Sequence, residues 1–184
     1  MDENKILFVD LDGTLIKEDL SNLAFIYCLK KKPFKLIYYL IIFMLRGKPY
    51  LKQKISENFT VPIHELTFNK SALEYIREVK NRHRVVYLIS GSHQILVDQI
   101  HKHLKVFFES FGTRNDLNMV GLNKVEFIKD KLKIINFDYI GNSKKDLPIW
   151  DYCNRIIYTN ASHNLKEIIN KSKLSVTEIK SNFN

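Results

Sequence analysis

The most constraining feature of the sequence is a short apolar run that ends in two carboxylates. Residues 6–14 read Ile-Leu-Phe-Val-Asp-Leu-Asp-Gly-Thr. A continuous run of β-branched and aromatic residues is typical of a strand buried on both faces of a parallel sheet. Asp10 and Asp12 are two positions apart, so their side chains leave the same face if the chain stays extended. The pattern predicts a buried first strand that brings two acidic groups to one edge of a sheet.

Apolar and amphipathic segments alternate along the chain outside residues 19–69. Runs of β-branched and aromatic residues predict strands, and segments with apolar residues every three or four positions predict helices. Such alternation is typical of an α/β fold with a parallel sheet and helices on both faces. The predicted strands are residues 5–9, 85–89, 106–110, 137–140, 155–158 and 174–179, and the predicted helices are residues 71–82, 94–104, 125–134, 147–153 and 165–169.

Chemically useful side chains follow three of the predicted strands. Asp10 and Asp12 follow the first, Ser90 follows the second, and Asn142 and Asp146 follow a later one. Because ligands bind beyond the carboxyl ends of parallel strands, we expect these side chains to share one site. Asp10 fits a nucleophile that attacks phosphorus, and Asp12 fits a general acid and base. Oxygen ligands suit Mg²⁺, and the expected ligands are Asp10, Asp12, Asn142 and Asp146.

Simpler structural roles exist for some of these residues. Asp12-Gly13 is a common turn dipeptide, although a turn leaves Asp10 unexplained. The Ser90 hydroxyl fits either a contact with a phosphoryl oxygen or a cap on the following helix. Lys124 fits a cation that neutralises Asp10 and a transferred phosphoryl group. Taken together, these residues favour phosphoryl transfer over a set of unrelated turns and caps.

Cysteine usage and the N-terminal sequence predict a cytoplasmic protein. Cys28 and Cys153 are the only cysteines and lack metal-site spacing, which fits a reducing compartment. The first residues lack the order of basic, apolar and small residues that marks a signal peptide.

The positive charge of the chain is concentrated in one segment. The formal net charge is +9, and no Asp or Glu lies between Leu20 and Ser56. Within this segment, residues 36–45 form an uncharged, mainly apolar run that is shorter than the about 20 residues of a membrane span. The run fits a helix buried inside the protein, or an interfacial helix whose cationic neighbours meet an anionic membrane. The basic residues are Lys30, Lys31, Lys32, Lys35, Arg46, Lys48, Lys52 and Lys54.

Four motifs together resemble those of the haloacid dehalogenase (HAD) superfamily of phosphatases and phosphotransferases. Asp10-Leu-Asp-Gly-Thr14 matches the first motif, Ser90 is similar to the second, Lys124 to the third, and Gly141-Asn142-Ser143 with Asp146 to the fourth. The resemblance implies a Rossmann-like core, a small helical cap inserted after the first strand, and a Mg²⁺-dependent phosphatase that forms an aspartyl-phosphate. The candidate residues are Asp10, Asp12 and Lys124 for catalysis, Thr14, Ser90, Gly91 and Lys52 for substrate binding, and Asp10, Asp12, Asn142 and Asp146 for the metal.

A closer resemblance is to HAD-type domains that are found joined to UbiA-type prenyltransferases. It rests on Leu51-Lys52 after Gly47, on Asn118, and on residues 139–150, which read Tyr-Ile-Gly-Asn-Ser-Lys-Lys-Asp-Leu-Pro-Ile-Trp. Common HAD members have Asp where this chain has Asn142, and the exchange removes one negative charge from the expected metal site.

The resemblance divides the chain into a HAD core of residues 1–18 and 70–184 and a helical cap of residues 19–69. We expect the cap to select a phosphorylated small molecule or a lipid- or prenyl-linked phosphate, and its cations to allow peripheral contact with the inner membrane surface. Nucleic acid is not an expected partner, because stacking aromatics are not interleaved with the basic residues. A membrane-associated binding or regulatory module with little turnover is the alternative function, and Asn142 favours it.

Overall fold

The centre of the fold is a parallel sheet of six strands. The structure, a computed structural model, describes residues 6–31, 33–82, 84–114 and 117–183. The strand order is β3-β2-β1-β4-β5-β6, and all neighbouring strands are parallel. The first strand therefore lies in the interior of the sheet, as its apolar sequence predicts. The strands are β1 (Ile6–Val9), β2 (Val85–His93), β3 (Glu109–Thr113), β4 (Asp138–Gly141), β5 (Arg155–Thr159) and β6 (Ser175–Ile179).

Helices cover both faces of this sheet. Leu7 and Val9 of β1 belong to one buried apolar cluster and Phe8 to a second, so the alternating side chains of one strand enter two cores. This arrangement confirms the predicted α/β fold with a parallel sheet between two helical layers. The helices are α1 (Leu20–Lys31), α2 (Leu36–Ser56), α3 (Lys70–Asn81), α4 (Gln94–Leu104), α5 (Leu122–Glu126), α6 (Leu147–Trp150) and α7 (His163–Asn170).

Several predicted elements differ in their bounds from those in the structure. Strand β2 extends to His93 instead of residue 89, and α6 ends at Trp150 instead of residue 153. The strand predicted at residues 106–110 is instead Glu109–Thr113, because the chain leaves α4 through a left-handed Lys105 with φ of 55° and β3 begins four residues later. The helix predicted at residues 125–134 begins earlier, as α5, and continues into a π-helical turn over Phe127–Lys131. The first residue of the first predicted strand, Lys5, lies outside the described residues.

The segment after β1 and the segment before α3 meet in a short antiparallel contact. Ile16 bridges to Phe68, and the Lys17 N–H donates to the Thr67 carbonyl at 2.9 Å. The insert between these two points contains α1, α2 and a 3₁₀ turn at Ile63–Glu65. Both ends of the helical insert therefore lie side by side, next to the carboxyl end of β1.

Helix α2 is broken near its middle, at Gly47. Gly47 has φ of 76°, a conformation that favours glycine, and Pro49 follows two residues later. The ten apolar residues before the break are not buried as a whole: Tyr39 and Ile42 are buried, whereas Ile37, Leu40 and their neighbours are exposed. The interpretation of this run as a fully buried helix is therefore wrong. Among the described helices, none is both long and apolar enough to cross a membrane.

Candidate active site

A cavity of about 450 Å³ lies at the carboxyl ends of the central strands. It is bounded by the loop after β1, the end of β2, helix α5 and the loop after β4, and the insert closes one side of it. Ligand sites of open parallel sheets are found at this edge. The predicted site residues that line the cavity are Asp10, Asp12, Lys52, Gly91, Lys124, Asn142 and Asp146.

Asp10 is paired with Lys124 in the floor of the cavity. The Lys124 ammonium donates to Asp10 Oδ1 at 2.7 Å, and both side chains are buried. Burial raises the pKa of Asp10 to about 7, and the positive charge of Lys124 opposes this rise. Because burial destabilises the charged form of Asp10, a further cation in the cavity would stabilise it. The pairing predicted from the sequence is present.

Tyr139 connects this pair to Asp146. The Lys124 ammonium donates to Tyr139 Oη at 2.8 Å, and the Tyr139 hydroxyl donates to Asp146 Oδ1 at 2.8 Å. Burial, reinforced by the negative charge of Asp146, raises the pKa of Tyr139 well above its ordinary value, so the phenol remains a donor. Sequence reasoning missed Tyr139 because an aromatic residue in a buried strand is ordinarily core. The available signal was a phenol located two residues before the Gly141-Asn142 turn.

Asp146 is held by the loop that follows β4. Its Oδ2 accepts hydrogen bonds from the Asn142 N–H at 3.1 Å, the Ser143 N–H at 2.9 Å and the Ser143 hydroxyl at 3.1 Å. Gly141 allows this close approach, because a Cβ at that position would lie 2.7 Å from Asp146 Cγ. Protein donors thus contact both carboxylate oxygens of Asp146, which suits it to orient the loop and Lys124.

Asp12 lies at the boundary between the core and the insert. Its Oδ1 accepts a hydrogen bond of 2.9 Å from the backbone N–H of Leu20, and Leu20 is the first residue of α1. Its Oδ2 accepts from the hydroxyls of Ser90 at 2.8 Å and Ser92 at 2.9 Å. Burial raises the pKa of Asp12, while these donors lower it. A carboxyl group with a raised pKa holds its proton more readily than an ordinary aspartate, which suits it to proton transfer.

The four candidate substrate-binding residues divide into two groups. The Lys52 ammonium donates to the Gly91 carbonyl at 2.7 Å, and both residues line the cavity. Ser90 and Thr14 are fully buried and lie behind the lining, Ser90 with its hydroxyl directed at Asp12. The helix-cap alternative for Ser90 is wrong, because the His93 side chain caps α4 by accepting from the Ile95 N–H.

Ser92 is a second residue that sequence reasoning did not place in the site. Its hydroxyl donates to Asp12 and lies 3.1 Å from the Ser21 hydroxyl of the insert. It lines the cavity, whereas the predicted Ser90 does not. The signal available in the sequence was the Ser90-Gly-Ser92 pattern at the end of an apolar strand.

The oxygen atoms of the cavity fit a hard divalent cation. Asp10 supplies a buried carboxylate, and Asn142 supplies an amide whose side chain lies so close to Gly13 that a Cβ there would be 2.2 Å from Asn142 Nδ2. Within the described residues, no group of three or more His, Cys, Asp or Glu side chains is arranged to hold a metal. Mg²⁺ does not require such a group, because it is commonly bound by one or two carboxylates together with water and substrate phosphate.

The fold is similar to that of solved HAD-superfamily α/β proteins. A protein of unknown function from Bordetella pertussis has a TM-score of 0.70 at 13% identity, covering 96% of this chain and 100% of that one. A substrate-bound phosphoserine phosphatase has a TM-score of 0.59 at 20% identity, covering 98% and 96%. A HAD-superfamily hydrolase from Ehrlichia chaffeensis has a TM-score of 0.52 at 19% identity, covering 92% and 96%. These similarities establish the fold.

The sequence comparisons add one relative of unknown function. The uncharacterized protein y4nM of Sinorhizobium fredii is 30% identical over 145 residues. The match covers 79% of this chain, and the chain spans only 28% of the length of that relative. No family model matches the sequence.

Proposed function

We propose that the protein is a Mg²⁺-dependent phosphatase that hydrolyses a phosphomonoester through an aspartyl-phosphate on Asp10. The observation that carries this proposal is the buried contact of 2.7 Å between Asp10 and Lys124, located at the ligand-binding edge of a HAD fold. Lys124 contacts only Oδ1 of Asp10, so the second carboxylate oxygen is left to attack phosphorus.

The first chemical step forms a bond between an Asp10 oxygen and phosphorus. The bond between phosphorus and the ester oxygen breaks, and the leaving oxygen takes a proton from Asp12. In the second step water attacks phosphorus, Asp12 accepts a proton from this water, and Asp10 is released with inorganic phosphate. Lys124 stays beside Asp10 and limits the build-up of negative charge in both steps.

Asp10 and Asn142 are the residues that would bind Mg²⁺, with Asp146 holding the loop of Asn142. When bound there, the ion would supply neutralisation of negative charge in the site. Asp12 was also predicted as a ligand, but its side-chain oxygens already accept three hydrogen bonds from Leu20, Ser90 and Ser92. We therefore assign proton transfer to its side chain.

The substrate is proposed to be a phosphorylated small molecule or a lipid- or prenyl-linked phosphate. Lysines from the core and from the insert line the cavity and favour a dianionic group: Lys17, Lys48, Lys52 and Lys145. Residues 19–69 are proposed to form a cap on a core of residues 1–18 and 70–184, because Ser21, Asn22, Lys48 and Lys52 of the insert close the cavity. The closer resemblance to HAD domains joined to UbiA-type prenyltransferases, and a cytoplasmic location, remain part of this proposal.

The decisive experiment measures phosphate release from p-nitrophenyl phosphate with and without Mg²⁺. We expect activity that EDTA abolishes and added Mg²⁺ restores, and at least a thousandfold loss in Asp10→Asn. Asp151→Asn is the matched control, since Asp151 is an exposed aspartate outside the cavity. Full activity of Asp10→Asn would refute the aspartyl-phosphate.

The alternative function is a membrane-associated binding or regulatory module with little turnover. Asn142 favours it, because a neutral amide binds Mg²⁺ more weakly than a carboxylate does. Calorimetry of Mg²⁺ binding and a broad panel of phosphate esters distinguish the two functions. Absence of turnover over the whole panel, with vesicle binding intact, would favour the module.

A further inference from the structure

The hairpin of α1 and α2 exposes an apolar surface that the rest of the fold does not cover. Phe34 is 96% exposed, Met44 76%, Leu45 75% and Ile37 72%. Contiguous exposed apolar patches on proteins mark contacts with a partner or a membrane. We call this surface the apolar tip, and it consists of Phe34, Ile37, Leu40, Ile41, Met44 and Leu45.

The side chains of the apolar tip are not needed to pack α2 against the rest of the protein. Tyr39 and Ile42, three positions apart on α2, are buried and belong to the side of the helix that contacts the protein. The remaining positions of residues 37–45 are apolar although they face solvent. A helix that only needed to pack would carry polar residues there. The sequence therefore maintains an apolar outer face in addition to the inner one.

The charges around the apolar tip identify the partner. Lys30 and Lys31 end α1, Lys35 precedes α2, and Arg46 follows the apolar run, whereas Lys32 lies outside the described residues. No acidic residue lies between positions 20 and 56. A second copy of the chain would place like charges against each other. Apolar side chains framed by lysine and arginine match the acyl boundary and the head groups of an anionic bilayer.

We propose that the apolar tip inserts into the boundary of an anionic lipid bilayer while its flanking cations contact the head groups. The contact is peripheral. Helix α2 continues from the tip, through the break at Gly47, directly to Lys48 and Lys52, which line the catalytic cavity. The two halves of α2, on either side of the break, thus connect the docking surface to the mouth of the cavity.

This connection deepens the proposed function and rests on it. A cavity located beside a docked interface receives substrates from that interface at high local concentration. The substrate class that uses this geometry is an amphipathic phosphomonoester, with its phosphate at Asp10 and its apolar part directed toward the lipid. An aqueous aryl phosphate would reach the same cavity without the membrane.

Docking is tested by co-sedimentation with vesicles of phosphatidylcholine alone or mixed with phosphatidylglycerol. We expect binding to the anionic vesicles only, reduced about tenfold or more by the double variant Met44→Ser, Leu45→Ser and by the triple variant Lys30→Glu, Lys31→Glu, Lys35→Glu. The matched control is Ile135→Ser, which removes an equally exposed apolar residue outside the insert. Circular dichroism confirms folding, which these exposed positions should preserve.

Three outcomes would overturn the docking proposal. They are a lack of wild-type binding to anionic vesicles, equal binding to neutral vesicles, and unchanged binding of both variants. The alternative occupant of the apolar tip is a second copy of the chain, and light scattering tests for it. A concentration-dependent dimer that is lost in the serine variant, without any vesicle binding, would assign the tip to a dimer interface.

The substrate class is tested with the same proteins. We expect the serine variant to hydrolyse p-nitrophenyl phosphate at the wild-type rate and a long-chain alkyl phosphate in anionic vesicles at least tenfold more slowly. Asp10→Asn should bind vesicles normally and hydrolyse neither ester. Vesicle binding without any hydrolysis by the wild type would reject the proposed function but leave docking intact. Equal loss of both substrates in the serine variant would reject the coupling.

Discussion

Replacement of Tyr139 by Phe removes a single oxygen atom from the centre of the site. That oxygen accepts from Lys124 at 2.8 Å and donates to Asp146 at 2.8 Å, in a buried environment. A hydrogen bond to a charged group contributes about 1.5–3 kcal/mol, and each charged partner keeps other contacts, so we expect a total loss of about 2–3 kcal/mol. For a chain of this size the loss corresponds to about 4–12 °C in Tm.

The same change should slow catalysis by a distinct route. Lys124 Nζ lies 4.0 Å from Asp146 Oδ1, and the phenol separates the two groups. Without it, the ammonium is free to move toward Asp146 and away from Asp10. We expect kcat to fall about tenfold, which is about 1.4 kcal/mol of transition-state stabilisation, with KM changed less than about twofold.

The assays are thermal unfolding and steady-state hydrolysis of p-nitrophenyl phosphate. Tyr158→Phe is the matched control, because its hydroxyl donates to Glu178 at 3.2 Å between β5 and β6, outside the cavity. It should leave kcat unchanged. A Tyr139→Phe variant with the Tm and kcat of the wild type would refute the bridging role, and a fall in Tm alone would reduce it to a structural one.

Three further predictions concern the core and the loop after β4. Gly141→Ala should reduce activity at least tenfold, measured against wild type, because a Cβ there would lie 2.7 Å from Asp146 Cγ; unchanged activity would contradict this contact. Ile140→Ala, at a fully buried position of β4, should lower the free energy of unfolding by about 2–5 kcal/mol in a urea titration, and a loss below about 1 kcal/mol would contradict tight packing. Cys28 and Cys153 are buried, and burial raises the pKa of Cys153 to about 12, so neither thiol should react with Ellman's reagent until the protein is unfolded; fast reaction of the native protein would refute this.

The parts of the fold that the sequence predicted well are those with one dominant local signal. Residues 6–9 are apolar at every position and include β-branched and aromatic side chains, which favours a strand buried on both faces. The bounds of β3 were missed because Val106 and Phe107 are as apolar as a strand, although Phe107 is buried without belonging to the ladder. Burial and strand pairing are separate requirements, and hydropathy reports only the first.

The candidate site shows the same limit. Asp10 was predictable because a carboxylate directly after an apolar strand is unusual, whereas Lys124 and Asp146 were assigned from their spacing and from the motif resemblance. Tyr139 and Ser92 were not, because a buried phenol or hydroxyl is ordinary until its hydrogen-bond partner is known. The sequence also could not predict whether residues 37–45 are buried or exposed, since an apolar run looks the same whether it faces protein, lipid or another chain.

The hydrogen bond between Asp12 and the first N–H of α1 limits how freely the helical insert can be replaced by the insert of another protein. The carboxyl group belongs to the core, but a donor at Leu20 in the insert fixes one of its oxygens. An insert grafted from another protein would bring its own first turn and thus reset the orientation of Asp12. Under the proposed function, substrate choice by the insert and proton transfer by Asp12 would be inherited together. A chimaera that changes the substrate would then need to rebuild the contacts of Asp12.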